Sequence, residues 1–233
     1  TRQMTALFDL PPHPQVPVAG SEKTFPVRRI FCVGRNYAAH AAEMGHEVDR
    51  EAPFYFTKTP SATVLTGATI PYPPGTNDYH HEMELVVAIG RPAFRISKED
   101  AMSVVYGYAC GLDMTRRDRQ QDGKDKRRPW DLGKDFEQSA VISPITEAKD
   151  FTVGTQKIEM SVNGTVKQVA TLDELIWSIP EIINHLSGYY HLEPGDLIYT
   201  GTPSGVGAVV AGDHIHGTID GLTAIDLTLG AAE

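Results

Sequence analysis

The stretch Tyr79-His80-His81-Glu82-Met83-Glu84-Leu85-Val86-Val87-Ala88-Ile89-Gly90 reads as a β-strand, Met83–Ile89, entered through charged and imidazole side chains and closed by glycine. Residues two apart on a strand point the same way, so Glu82 and Glu84 share a face with Cα atoms roughly 6.6 Å apart, while Met83 and Leu85 turn toward the core. Outward from this strand, short runs rich in Val, Ile, Tyr and Phe (28–33, 54–56, 63–65, 107–113, 196–200) alternate with Pro and Gly clusters such as Pro71-Tyr72-Pro73-Pro74-Gly75. Two alternating runs near the end, 214–219 and 222–227, meet at Asp220-Gly221, a hairpin signal. Helices are few and short. Residues 38–44 are good helix formers stopped at Gly45, and Ser97-Lys98-Glu99-Asp100 opens a helix over 98–105 with a spacing like that of a capping box. Apolar residues at helical spacing predict a helix over 173–186 that Pro180 must kink or restart. The pattern predicts a mixed α/β, β-dominated fold and disfavours a doubly wound α/β one.

With 233 residues, 41% of them hydrophobic and 22% charged, the chain is long enough for one substantial core. Residues 1–27, with prolines at 11, 12, 14, 17 and 26, read as an extended leader with at most an edge strand, and 28–233 as the main domain. The 21 Lys+Arg against 30 Asp+Glu leave a net charge of −9, which repels phosphate backbones and anionic membranes, so neither nucleic acid nor membrane is an expected partner. No apolar stretch approaches a membrane span, the N-terminal region is Pro-rich where a signal peptide would need an apolar core, and Cys32 and Cys110 sit in apolar strand-like runs that suit a reducing compartment. A cytoplasmic protein is expected.

Two carboxylates on one strand face repel unless a cation lies between them, and a hard divalent ion takes such oxygen ligands. A Glu-x-Glu pair alone is more often the polar face of an edge strand. Asp113, a charge that ends the apolar run 104–112, is the candidate third ligand. His80 and His81 lack any Cys or second His at zinc-site spacing. His40 and Glu43 lie three apart on the short helix, where a carboxylate can orient an imidazole as a general base, or where the two can form a plain surface pair. Residues 115–135 hold eight Lys/Arg against five Asp and read as a charged loop, either solvated or able to neutralise a small dianion. The Gly-rich run 200–207 fits neither a nucleotide-binding fingerprint nor a serine-hydrolase frame, so both of those functions are disfavoured.

Several stretches in order and spacing resemble the fumarylacetoacetate hydrolase family over about residues 30–229: Gly34-Arg35-Asn36-Tyr37 with His40 and Glu43, Pro53-Phe54-Tyr55-Phe56-Thr57-Lys58, Glu82-Met83-Glu84-Leu85, Asp113 with Arg117-Asp118, Gly133-Lys134-Asp135-Phe136, and Pro194-Gly195-Asp196 through Gly201-Thr202-Pro203-Ser204-Gly205-Val206-Gly207. The resemblance implies a β-sandwich roll with a few short helices and a Mg²⁺ or Mn²⁺ site at Glu82, Glu84 and Asp113. It also implies a catalytic His40–Glu43 dyad on a lid, a catalytic Lys134, and substrate contacts from Arg35, Tyr37, Gln168 and Thr202. It makes a homodimer the expected assembly. Leu112-Asp113 departs from the family's frequent Asn-Asp, and 171–175 departs from its frequent Asn-Thr-Ser-Asp-Met. Residues 111–118, 128–130 and 138–140 look most like the branch that hydrolyses fumarylpyruvate to fumarate and pyruvate in the breakdown of aromatic compounds. The expected substrate is thus a small dicarboxylate keto acid. The alternatives are an oxaloacetate decarboxylase, a general acylpyruvase, an enol isomerase or tautomerase, and a noncatalytic binding module.

Overall fold

Met83–Ile89 runs antiparallel to a neighbour on each side, Val105–Asp113 and Asp196–Tyr199, in the computed structural model, which describes residues 3–233. These three are the middle of a large sheet ordered Tyr55–Lys58, Arg29–Val33, Asp196–Tyr199, Met83–Ile89, Val105–Asp113, Ala140–Ile142 and Thr63–Leu65, with Thr146–Glu147 paired beside Val105–Asp113. A second sheet follows the order Thr165–Thr171, Lys157–Val162, His214–Ile219, Ile225–Gly230, Ala68–Pro71. The fold is mixed α/β and strand-dominated, as the alternation of short apolar runs with turn residues implies.

Every residue of Met83–Ile89 is buried, and its two faces serve two cores. Met83, Leu85, Val87 and Ile89 join Ile158, Met160 and Ile215 of the second sheet, while Val86 and Ala88 join Ile30, Leu197 and Tyr199 in a smaller core. A strand covered on both faces reads as a continuous apolar run, so Glu82 and Glu84 are not the polar face of an edge strand. Each fully buried Leu, Ile or Val contributes about 1.5–3 kcal/mol, and those on this strand set its register. That register brings in the third carboxylate. Met83 pairs with Leu112 and Glu84 with Gly111, and the Asp113 N–H donates to the Glu82 carbonyl at 2.9 Å, so Asp113 stands opposite Glu82 on the same face. Gly111 is required there, since a Cβ would lie 2.5 Å from Val86 Cγ2 and 2.7 Å from Tyr199 Cε2.

Several elements differ from the sequence expectation. Over 98–105 the helix Lys98–Ala101 tightens into a 3₁₀ turn, Met102–Val104, and the strand already begins at Val105; Ser97 accepts from the Asp100 N–H at 3.2 Å, as its spacing predicts. Pro180 restarts the 173–186 helix: a 3₁₀ turn, Leu172–Glu174, precedes a helix, Ile179–Leu186, capped by Ser178. Pro180 sits in the first turn, where a missing N–H loses no intrahelical bond. The last strand is Ile225–Gly230 where 222–227 was expected, because Ile225, Leu227 and Leu229 take the buried positions and the turn widens. Residues 115–135 are not a loop: they fold as the helix Arg117–Lys126 and the short helix Asp131–Lys134. The buried positions of the longer helix are Arg117, Gln120 and Gly123, so no apolar stripe announces it.

Within the leader, Gln15–Pro17 and Thr24–Pro26 pair antiparallel and set Val16, Val18, Phe25 and Val27 into the smaller core; residues 1 and 2 lie outside the described residues. Among the described residues no helix is long and apolar enough to cross a membrane. Cys32 and Cys110 are buried free thiols.

Candidate active site

Glu82, Glu84 and Asp113 are buried, and one carboxylate oxygen from each lies within 4.8 Å of the others. Cations surround two of the three. Lys134 Nζ donates to Glu82 Oε2 at 3.0 Å, Asp113 Oδ2 at 2.9 Å and Thr115 Oγ1 at 2.8 Å, and Arg117 Nη2 donates to Glu82 Oε1 at 2.6 Å. Lys58 Nζ lies 2.8 Å from Asp113 Oδ1 but off the hydrogen-bond direction, so this buried oxygen accepts no hydrogen bond. Glu84 has no ion-pair partner among the described residues; its Oε2 accepts only the Gly201 N–H, at 2.9 Å.

Two glutamates on one strand face thus differ in electrostatics. Burial pushes Glu82 upward, but Lys134, Arg117 and His40 outweigh it and hold this carboxyl well below the usual range. Burial and then the charges of Asp113 and Glu82 push Glu84 well above that range. Burial disfavours the Lys134 ammonium, yet Asp113 and Glu82 more than compensate and raise it. A buried carboxyl without an ion-pair partner beside two others, with an Asp113 oxygen that accepts no hydrogen bond, is a set of hard donors with lone pairs to spare. The residues fit a hard divalent ion such as Mg²⁺ or Mn²⁺.

Above the carboxylates stands the helix Ala38–Glu43. His40 Nδ1 lies 3.1 Å from Glu43 Oε2, and Glu43 Oε1 accepts the Gly205 N–H at 3.0 Å, so the carboxylate is held while it orients the ring. Asn36 pins the preceding turn, donating to Thr200 O at 2.8 Å and Trp177 O at 3.1 Å and accepting from the Trp177 N–H at 2.7 Å.

Arg35, His40, Glu82, Glu84, Lys134 and Thr202 line one cleft. Tyr37, Gln168 and Asp113 lie behind it. Tyr37 is 3% exposed with its hydroxyl unpartnered, and burial followed by the Glu84 charge pushes the phenol well up. Gln168 is wholly buried: its Oε1 accepts from the Met83 N–H at 3.0 Å and lies 3.1 Å from His81 Nδ1, while Nε2 donates to Thr202 Oγ1 at 2.7 Å and Pro203 O at 2.8 Å. It positions the Thr202 turn and has no group left for a ligand. Lys58, Arg117, Gln120, Lys124 and Trp130 had no individual role in the sequence, beyond the charge of 115–135 able to neutralise a dianion; the last four line the cleft. Arg117, Gln120 and Lys124 share a helix face at steps of three and four, a signal that only a helical reading of 115–135 makes visible.

Residues 29–229 match the family model described as fumarylacetoacetate (FAA) hydrolase C-terminal. A fumarylpyruvate hydrolase of Ralstonia sp is 56% identical over 192 residues, spanning 82% of this chain and 100% of that relative. A mitochondrial oxaloacetate decarboxylase of Dictyostelium discoideum is 42% identical over 198 residues, 84% of this chain and 90% of its own length. The crystal structure of fumarylpyruvate hydrolase from Pseudomonas aeruginosa in complex with Mn²⁺ and pyruvate superposes with a TM-score of 0.94 at 45% identity, covering 97% of this chain and 100% of that one. Sequence, fold and the acidic cleft agree: the chain belongs to the fumarylacetoacetate hydrolase family and is an enzyme of its carbon–carbon hydrolase kind.

Proposed function

We propose that the chain hydrolyses an acylpyruvate dicarboxylate such as fumarylpyruvate to fumarate and pyruvate. In this reading Glu82, Glu84 and Asp113 hold Mg²⁺ or Mn²⁺, His40 and Glu43 form the base pair, Lys134 and Arg35 meet substrate carboxylates, and Thr202 and the unpartnered hydroxyl of Tyr37 contact the substrate, with Gln168 behind as a positioning residue. The observation that carries it is a hydrogen-bonded His40–Glu43 pair opening on the same cleft as a buried carboxylate triad. The Ralstonia relative's name supports the substrate, and the Mn²⁺ and pyruvate of the Pseudomonas structure support the ion and the product.

Such an ion, when bound, supplies Lewis acidity toward an α-keto acid. Glu43 fixes the Nδ1–H tautomer of His40, leaving Nε2 to take a proton from water. The hydroxide oxygen adds to the distal acyl carbonyl carbon. The bond between that carbon and the pyruvyl methylene then breaks; its electron pair passes to the methylene, which takes the proton from His40 and becomes the methyl group of pyruvate, while the acyl carbon leaves as a carboxylic acid that ionises. The ammonium of Lys134 spends its three N–H donors on Glu82, Asp113 and Thr115, so it acts on the substrate's anionic end as a fixed, preorganised charge and not as a hydrogen-bond donor.

A second reading, decarboxylation of oxaloacetate, is favoured by the Dictyostelium relative and needs no water base. Assays of fumarylpyruvate, acetylpyruvate and oxaloacetate with Mn²⁺ or Mg²⁺, with products identified, separate the two: fumarate and pyruvate are expected. Intact acylpyruvates beside CO₂ release from oxaloacetate would overturn the hydrolase reading. The same proposal includes a cytoplasmic homodimer serving aromatic breakdown without nucleic-acid or membrane partners, supported by the net charge of −9, the two free thiols and the family.

A further inference from the structure

Four cations line the cleft, and they are used differently. Lys134 and Arg117 are paired with Glu82 and Asp113. Arg35 and Lys124 form no ion pair and no side-chain hydrogen bond with any described residue, although both are half-buried and both face the same cleft. Both stand beside one aromatic ring. Arg35 Cζ lies 5.8 Å and Lys124 Nζ 5.3 Å from the centre of a single ring, that of Trp130, and the Arg35 guanidinium also lies 5.2 Å from the Phe54 ring.

Backbone and helix both contribute to the placement. Arg35 takes φ +52°, a left-handed conformation that a non-glycine residue adopts only where its surroundings impose it, and it directs the side chain over the aromatic pair. Lys124 stands on the helix Arg117–Lys126, one turn beyond Gln120 on the face that also carries Arg117. Two neighbouring, partly desolvated cations without an anion are unfavourable: burial and then the charges of Arg35, Arg117 and Lys134 lower the Lys124 ammonium to about 8. An anionic occupant removes that penalty, and the aromatic floor excludes water from the contact.

We infer that Arg35 and Lys124 form a second anion subsite, separate from the carboxylate floor, which takes the distal carboxylate of a dicarboxylate substrate. The inference rests on the acylpyruvate reading for what lies between the two ends, but not for the subsite's charge preference. Lys124 then determines specificity by admitting a dianion over a monoanion. Losing one charge-assisted contact corresponds to roughly a tenfold change or more in relative affinity.

The test pairs kinetics with binding. In Lys124→Met the ratio of kcat/KM for fumarylpyruvate to that for acetylpyruvate falls about tenfold or more, and Lys124→Arg restores it. Binding of fumarate and of crotonate, which replaces one carboxylate by a methyl group, is measured by calorimetry on the Mn²⁺-loaded protein at low salt. The wild-type protein favours fumarate, and the preference disappears in Lys124→Met and returns in Lys124→Arg. A fumarate preference that survives in Lys124→Met, or is absent in the wild-type protein, overturns the subsite. If neither acylpyruvate is hydrolysed while the fumarate preference follows Lys124, the activity reading fails and the subsite stands.

Discussion

Glu84 and Asp113 stand on two central strands paired to each other and to neighbours, with Glu82 at the entrance of the first, whereas His40 and Glu43 stand on a six-residue helix followed by the exposed polar segment 45–52. The floor is rigid because ligands of a hard cation must keep their spacing, and sheet hydrogen bonds on both sides of a strand set it. The rim is lightly anchored. Its helix has no side-chain N-cap; Asn36, the Glu43–Gly205 contact and an exposed Arg50–Glu181 ion pair tie the region down. An exposed pair of this kind contributes about 0.2–1 kcal/mol, so beyond Asn36 the rim is held by weaker contacts than the floor, whose opening means unfolding the core. Charge placement and substrate access are thus assigned to parts of different local stability.

Breaking the floor has the largest effect. Glu84→Gln weakens Mn²⁺ binding by more than about 100-fold, since even groups that only orient ligands are worth 10- to 100-fold, and hydrolysis disappears with it. Calorimetric titration with Mn²⁺ checks this, and wild-type affinity in the variant would show that the triad is not the ion site. At the rim, His40→Ala lowers kcat by about 10²- to 10⁴-fold while Mn²⁺ affinity and thermal stability stay near the wild-type values. Stopped-flow decay of the enol absorbance at saturating Mn²⁺ measures the loss; an unchanged rate would show that His40 is not the base.

Asn36 ties the turn before the rim helix to Thr200 and Trp177. Asn36→Ala leaves the Trp177 N–H and two carbonyls without their partner, at about 3 kcal/mol, and Tm falls by about 6–12 °C. Calorimetric unfolding decides this, and a shift under about 2 °C would mean the turn is held by other contacts. The smallest effect is a pH response confined to the cleft wall. Burial, Arg35, Arg117 and Lys134 disfavour the charged Lys124, and only Glu82 favours it, so its ammonium titrates near about 8, whereas Lys134 in the floor is raised and stays charged in that window. As pH rises through 8 the attraction for a distal carboxylate is lost. KM for a dicarboxylate substrate therefore rises several-fold while KM for a monocarboxylate does not follow. Parallel KM profiles for the two substrates would contradict this.

Two local periodicities were legible before any tertiary contact was known. A period of two set Glu82 and Glu84 on one face, and a helical step of three set His40 over Glu43, because backbone geometry alone fixes those neighbours. The β-dominated class followed from the same alternation and from the Pro and Gly punctuation. Asp113 stood out as a charge ending an apolar run, yet its place opposite Glu82 was decided by the pairing of Met83 with Leu112. Gln168 faced Thr202 and the Met83 backbone only once a strand from the second sheet packed behind the first. The 115–135 segment was legible in charge but not in structure, since its buried helix positions are Arg117, Gln120 and Gly123 and carry no apolar period. Which of its cations would be paired and which left free lay beyond the sequence. Arg117 meets Glu82 across a packed interface while Lys124, on the same helix face, meets only an indole ring. Local spacing is a property of the chain; the partner of a charge is a property of what packs against it, and only the folded arrangement supplies that.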